Sequence, residues 1–177
     1  MRRSPRKFST EKELYTAAVG GLMRRAYSVF EMRRYLEQRS ENPSVARLVL
    51  ARLQREKLLD DPHYAREFAR SRARSRRQGR HRIIRELRIR GLSDANIEDA
   101  ITETFAETDE SAVVRKLIER RLRASRGVRD AKKLASLYRT LLRAGFDAQL
   151  IRRELDSQKL HASELNSGEW SGDAEFE

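Results

Sequence analysis

Apolar residues recur every three or four positions from Leu14 to Leu155, with charged residues filling most of the gaps. Over Glu110–Arg123 the stripe is Val113, Val114, Leu117, Ile118 and Leu122, the spacing of one face of an α-helix. The same period predicts nine helices in all, and capping chemistry marks many of their ends. Thr10 to Glu13 and Ser28 to Glu31 fit the S/T-x-x-E box, in which two orphan amides are satisfied reciprocally. Asn42 and Asp61 each stand before a proline, where a capping side chain and a residue lacking an N–H suit a helix start. Gly91 and Gly145 each follow a helical stripe, as expected of a residue that ends a helix in the left-handed conformation. Gly20 and Gly21 fit poorly: inside the first helix each costs near ~1 kcal/mol relative to alanine.

The helices repeat as a set. "IIRELRIRGLSDANIEDAI" (Ile83–Ile101) and "LYRTLLRAGFDAQLIRREL" (Leu137–Leu155) align at a shift of 54 positions. That shift places Leu87 on Leu141, Leu92 on Phe146, Ile97 on Ile151 and Ser93 on Asp147. A looser copy, Val29–Leu53, carries Ser40 at the glycine position. Each copy follows another helical segment: Glu11–Arg25, Pro62–Arg74 and Glu110–Arg123. The expected fold is therefore all-α, with three tandem three-helix repeats forming an elongated, curved array. The expected division is a basic arm (1–10), repeats over 11–60, 61–107 and 108–156, and an acidic tail (157–177) without stable structure.

Composition narrows the function classes. The chain has 177 residues, 38% apolar and 37% charged, so each core must be thin. No cysteine is available for a disulfide or a thiolate zinc site. No apolar run approaches the roughly 20 residues of a membrane span, and the N-terminus lacks a signal-peptide core. The expectation is a soluble, cytoplasmic protein. The net charge is +12; the first ten residues hold +4 and the tail from Ser157 holds −4, so residues 11–156 carry the full +12. Such a body attracts polyanions and acidic protein faces in a salt-dependent way.

Four motifs in order resemble the RecX family of bacterial regulatory proteins over about Leu14–Leu155. They are "YSVFEM" (Tyr27–Met32), "LLDDPHYAREFARSRAR" (Leu58–Arg74), "GRHRIIRELRIRGLSDANIEDAI" (Gly79–Ile101) and "RAGFDAQLIRREL" (Arg143–Leu155). Met32 stands where leucine is usual, Ser40 replaces a glycine, and the acidic tail lies outside the resemblance. The resemblance implies a non-enzymatic modulator of the recombinase RecA. It would lodge in the groove of the RecA–single-stranded DNA filament, limiting extension and inhibiting ATP hydrolysis, strand exchange and co-protease function.

Residue chemistry points the same way. His63, His81 and His161 are far apart and not in ligand spacing, and no phosphate-cradling glycine loop or nucleophile elbow is present. Catalytic residues, metal, cofactor and small-molecule substrate are all expected to be absent. Tyr64 and Phe68 share a helical face and are assigned to the core, while Glu67 and Glu86 read as intrahelical ion-pair partners. From Arg66 to Arg90 there are eleven arginines and no lysine. Arginine's planar fork binds carboxylate and phosphate bidentately. The candidate contact surface is Arg66, Arg70, Arg72, Arg74, Arg76, Arg77, Arg80, Arg82, Arg85 and Arg88, with Arg66, Arg70 and Arg74 on one helix face. The resemblance implies a RecA nucleoprotein filament as the partner; the expectation is a monomer with weak salt-sensitive DNA binding beside that contact. A direct nucleic-acid binder, an adaptor for another acidic protein, and a merely solvated helix face are the alternatives. Asp60 and Asp61 need no partner, since acids suit a helix N-terminus.

Overall fold

A computed structural model describes residues 6–124 and 131–167, with the backbone alone at 131 and 159–167. Among them are nine α-helices: α1 (Glu11–Leu22), α2 (Val29–Glu37), α3 (Pro43–Arg55), α4 (Asp61–Arg76), α5 (Arg80–Ile89), α6 (Asp94–Ala106), α7 (Glu110–Ala124), α8 (Ala131–Ala144) and α9 (Ala148–Ser167). They form three tandem triplets, and close helix–helix packing falls within triplets. Each triplet has its own core. The first buries Leu14, Met32, Leu36, Val49 and Leu53; the second Ala65, Ala69, Ile83, Leu87 and Ile97; the third Val114, Ile118, Leu141, Phe146 and Ile151.

The caps act much as the sequence requires. The Thr10 hydroxyl accepts from the Glu13 N–H, Ser28 and Glu31 close a full capping box, and Asn42 accepts from Ser44. Gly91 and Gly145 take the left-handed conformation, at φ +73° and +92°. One cap differs. Asp60, not Asp61, caps α4 by accepting from the His63 N–H, which frees Asp61 for a contact described below. The last helix also differs. It runs on to Ser167, into the stretch expected to lack structure; residues 168–177 lie outside those described.

The core of the second repeat also departs from expectation. The alanine stripe Ala65, Ala69 and Ala73 faces inward, while Tyr64 and Phe68, stacked 6.0 Å apart, pack at its edge. Small side chains let α6 lie close and parallel against α4, which decides the fate of the flanking arginines. Gly20 and Gly21 sit inside α1 without breaking it, and a Cβ on Gly20 would meet only an arginine tip at 3.8 Å. Gly20→Ala is therefore expected to raise stability by about 0.5–1 kcal/mol in chemical denaturation, the backbone entropy that glycine loses on folding. A loss of stability would show that the position needs glycine.

A recurrent joint links the triplets. The Ser28 hydroxyl, at the start of α2, donates to the Arg90 carbonyl (2.7 Å) beside Gly91 at the end of α5. One unit on, the Gly79 N–H at the start of α5 donates to the Ala144 carbonyl (2.9 Å) beside Gly145 at the end of α8. A second bond repeats as well. The Val29 N–H donates to Asp61 (2.8 Å) and the Arg80 N–H to Glu110 (3.2 Å), each acid being the first residue of the next triplet's leading helix. Burial pushes the Asp61 carboxyl above its ordinary pKa, against the pull of the Val29 hydrogen bond. The arm supplies the same element to the first unit, since the Phe8 N–H donates to the Arg39 carbonyl (2.7 Å) beside Ser40. Ser40 can thus replace glycine there, because no positive-φ turn is present at that residue.

Candidate functional site

The arginine-rich segment folds as α4, a tight turn at Arg77–Gly79, and α5. Seven of the ten candidate arginines meet carboxylates of their own chain. Arg66 and Arg70 both reach Glu103, and Arg74 reaches Glu107 at 3.0 Å, across the close α4–α6 contact. Arg72 and Arg82 converge on Glu86, at 3.4 and 3.0 Å. Burial pushes the Glu86 carboxyl up, but the hydrogen bond from Arg82 and the charges of Arg72, Arg82 and Arg90 outweigh it, and its pKa is lowered. Arg80 holds Glu110 at 2.6 Å across the joint, and Arg88 holds Asp94 at 3.0 Å. Glu67 pairs with Arg70 as expected, whereas Glu86 also serves a second helix.

An exposed pair of this kind contributes only about 0–1 kcal/mol, so an external phosphate can still compete for such an arginine. The cations without an internal partner are better placed. Among the described residues Arg76, Arg77 and Arg85 have no carboxylate within ion-pairing distance. Arg76 and Arg77 lie beside three cations of the third repeat, Arg120 and Arg121 on α7 and Lys133 on α8. These three also have no carboxylate partner among the described residues. Together the five rim a groove of about 1010 Å³, floored by Leu117, Leu122, Leu134, Leu137 and Leu141, with no acidic side chain in its lining among the described residues. Arg85 lies apart from it.

Sequence reasoning missed the third-repeat half of this site. Arg120, Arg121 and Lys133 belong to a basic run, Arg115–Lys133, with nine lysines and arginines against Glu119 and Asp130, and they meet Arg76 and Arg77 only in the folded chain. The signal that could have found them is that run's excess of positive charge. Arg77 is a non-glycine residue at φ +50°, ψ +45°, a conformation that costs roughly 1–2 kcal/mol for a residue with a Cβ. Arg77→Gly is expected to stabilise the fold by about 0.5–1 kcal/mol while weakening whatever the groove binds. Lys57, at φ +56° and away from the groove, is the control. Lys57→Gly should give the gain in stability without the loss of binding, and equal binding by both variants would remove Arg77 from the site.

A second surface lies at the first joint. Phe30 packs over Gly91, Arg34 lies 5.9 Å from the Phe30 ring, and Arg25 sits 3.6 Å over Tyr27. Among the described residues no group of three His, Cys, Asp or Glu side chains is placed to hold a metal ion, and no helix is long and apolar enough to cross a membrane.

Comparison with known proteins places this architecture. Residues 60–101 match the family model described as RecX, second three-helix domain. The chain is 37% identical over 137 residues to the regulatory protein RecX of Halorhodospira halophila, covering 77% of this chain and 82% of that one. It is 27% identical to the regulatory protein RecX of Oceanobacillus iheyensis over 91% of its own length, which is 58% of that longer relative. The crystal structure of RecX from Lactobacillus salivarius superposes with a TM-score of 0.71 over 85% of this chain and 97% of that one; at 20% identity this speaks to the fold alone.

Proposed function

Because the chain belongs to the RecX family of regulatory proteins, we propose that it binds the RecA–single-stranded DNA filament and limits its extension. Inhibition of ATP hydrolysis, strand exchange and co-protease function would follow from that contact. The observation that carries the reading is the groove, where five cations without described internal partners surround a leucine floor. Cations without internal partners attract an acidic surface at the smallest cost, and buried leucine contacts add affinity that salt does not screen. The action is steric and electrostatic. Three jointed units lying along a filament stabilise whichever filament state they fit better, which shifts the equilibrium without covalent chemistry.

The test is RecA's single-stranded-DNA-dependent ATPase with filament length measured in parallel. Substoichiometric protein should lower both. No change in either at large molar excess and moderate salt would overturn the proposal.

A second reading, direct action on nucleic acid, is favoured by the +12 charge and by the arginine–aromatic cluster at the first joint. It expects tight DNA binding without RecA, with log affinity falling steeply against log salt. Robust RecA co-sedimentation alongside little DNA binding at about 150 mM salt, where the Debye length is about 8 Å, would reject it as the main role.

A further inference from the structure

The chain carries a segment whose chemistry suits the groove. Helix α9 runs parallel to α7: Arg153 donates to Ser111 at 3.0 Å, and Arg115 holds the buried Glu154 at 3.0 Å. From that level the backbone of α9 continues to Ser167, about 20 Å further at a helical rise of 1.5 Å per residue. Ala124, at the end of α7, lies about 14 Å along the same direction. The helix therefore brings the chain to the level of Arg120, Arg121 and Ala124 along α7, on the face of Ser111 and Arg115, which at ~100° per residue is about 140–180° round the helix from Arg120. Residues 168–177 can span roughly 33 Å from there, enough to turn and lie along the groove.

The chemistry of that segment matches the groove. It contains Glu169, Asp173, Glu175 and Glu177 with no lysine or arginine, and between the acids stand two large apolar residues, Trp170 and Phe176. The groove offers the complement, cations on the rim and leucines on the floor. An acidic tail with no aromatic residue would match the rim alone. The pairing of acids with Trp170 and Phe176 matches rim and floor together.

We propose that residues 168–177 dock in the groove between the second and third repeats and compete there with an external acidic partner. The competition rests on the reading of the groove as the filament-binding surface; the docking does not. In the full chain the tail holds the groove at low occupancy cost because it is tethered, so an external partner must displace a ligand already at high effective concentration. The groove is then more accessible to external ligands at high salt or in a chain without the tail, up to the point where salt also weakens the external contact.

Trp170 is the sole tryptophan, so its fluorescence reports the tail directly in the intact protein. In the full chain its emission should lie at shorter wavelength than in a synthetic peptide of residues 166–177, and acrylamide should quench it less. In the full-length Arg76→Glu, Arg120→Glu, Arg121→Glu variant, with far-UV circular dichroism unchanged, emission and quenching should move to the peptide's values. Emission in the unaltered chain identical to the free peptide overturns the docking. So does a shielded Trp170 that the triple reversal leaves shielded, since the tail would then lie elsewhere. A chain ending at Ser167 should inhibit RecA's ATPase at lower concentration than the full chain, and equal potency overturns the competition. The two readings fail separately. Trp170 shielded by the groove in a protein with no effect on RecA would sink the filament assignment and leave the docking standing.

Discussion

Reversing Arg76, Arg120 and Arg121 together to glutamate should weaken the proposed inhibition of RecA by well over tenfold while the helix content stays unchanged. These three side chains are exposed and have no carboxylate partner among the described residues, so no described ion pair is broken by the change. Three rim cations become three anions facing an acidic surface, and like-charge juxtaposition at an interface costs several kcal/mol where tenfold in affinity is about 1.4 kcal/mol. Reversal at Arg70 and Arg74 is the informative contrast, with Arg70 outside the groove and Arg74 at its α4 end. Those residues hold Glu103 and Glu107, so their reversal should loosen the α4–α6 contact and lower thermal stability as well as binding. The measurement is ATPase inhibition against protein concentration, with thermal denaturation of each variant. If the Arg70 and Arg74 variant loses inhibition and the groove variant does not, the binding surface lies on the flank of α4. If the groove bound DNA phosphates instead, the same triple reversal would reduce the slope of log affinity against log salt by about one unit per lost phosphate contact.

Gly145→Ala should be among the most destabilising single substitutions in the chain, at about 3 kcal/mol, with the loss centred on the joint between the second and third repeats. Two costs add. The residue sits at φ +92°, where a side chain is strained by about 1 kcal/mol or more. Its new Cβ would also overlap the backbone N and Cα of Arg82, and backbone cannot rotate away as a side chain can. Gly79 faces Gly145 across the same joint, and a Cβ there would overlap the Gly145 carbonyl. Gly91→Ala at the first joint, at a similar φ, should cost a comparable amount, because the overlapping atoms include the Phe30 Cβ, which no side-chain rotation moves aside. Hydrogen exchange gives the readout. In Gly145→Ala the amides of Gly79 and His81, which donate to Ala144 and Gly145, should lose protection while those inside the first repeat keep theirs. Uniform loss over all three repeats would show that the triplets unfold as one unit.

The joints explain why part of this protein could be read from the chain and part could not. Helix positions, the capping box at Ser28, and the equivalence of Gly91 with Gly145 were visible because each depends on residues within about one helical turn. Asp61 and Glu110 were visible too, but an acid at the start of a helix has a sufficient local reason in the helix dipole. Their second role, accepting the Val29 and Arg80 amides of the preceding unit, left no separate mark. Part of the arginine excess of α4 and α5 is answered inside the chain, and that part was hidden for a related reason. It appeared to require an external anion because its answering acids, Glu103, Glu107 and Glu110, lie some thirty positions downstream. The alanine stripe brings Glu103 and Glu107 within reach, and the joint between the second and third repeats brings Glu110.

Local forces, acting between residues a few positions apart, give the helical triplets, their thrice-repeated order and the basic character of the body, and these follow from the amino-acid order. Which cations stay without an internal partner is a question of register between helices far apart in the chain. A guanidinium's partner depends on ångström-scale separations that close packing sets, and one sequence carries no direct record of those distances. The basic groove shared by the second and third repeats therefore emerges only when α4, α7 and α8 are folded together.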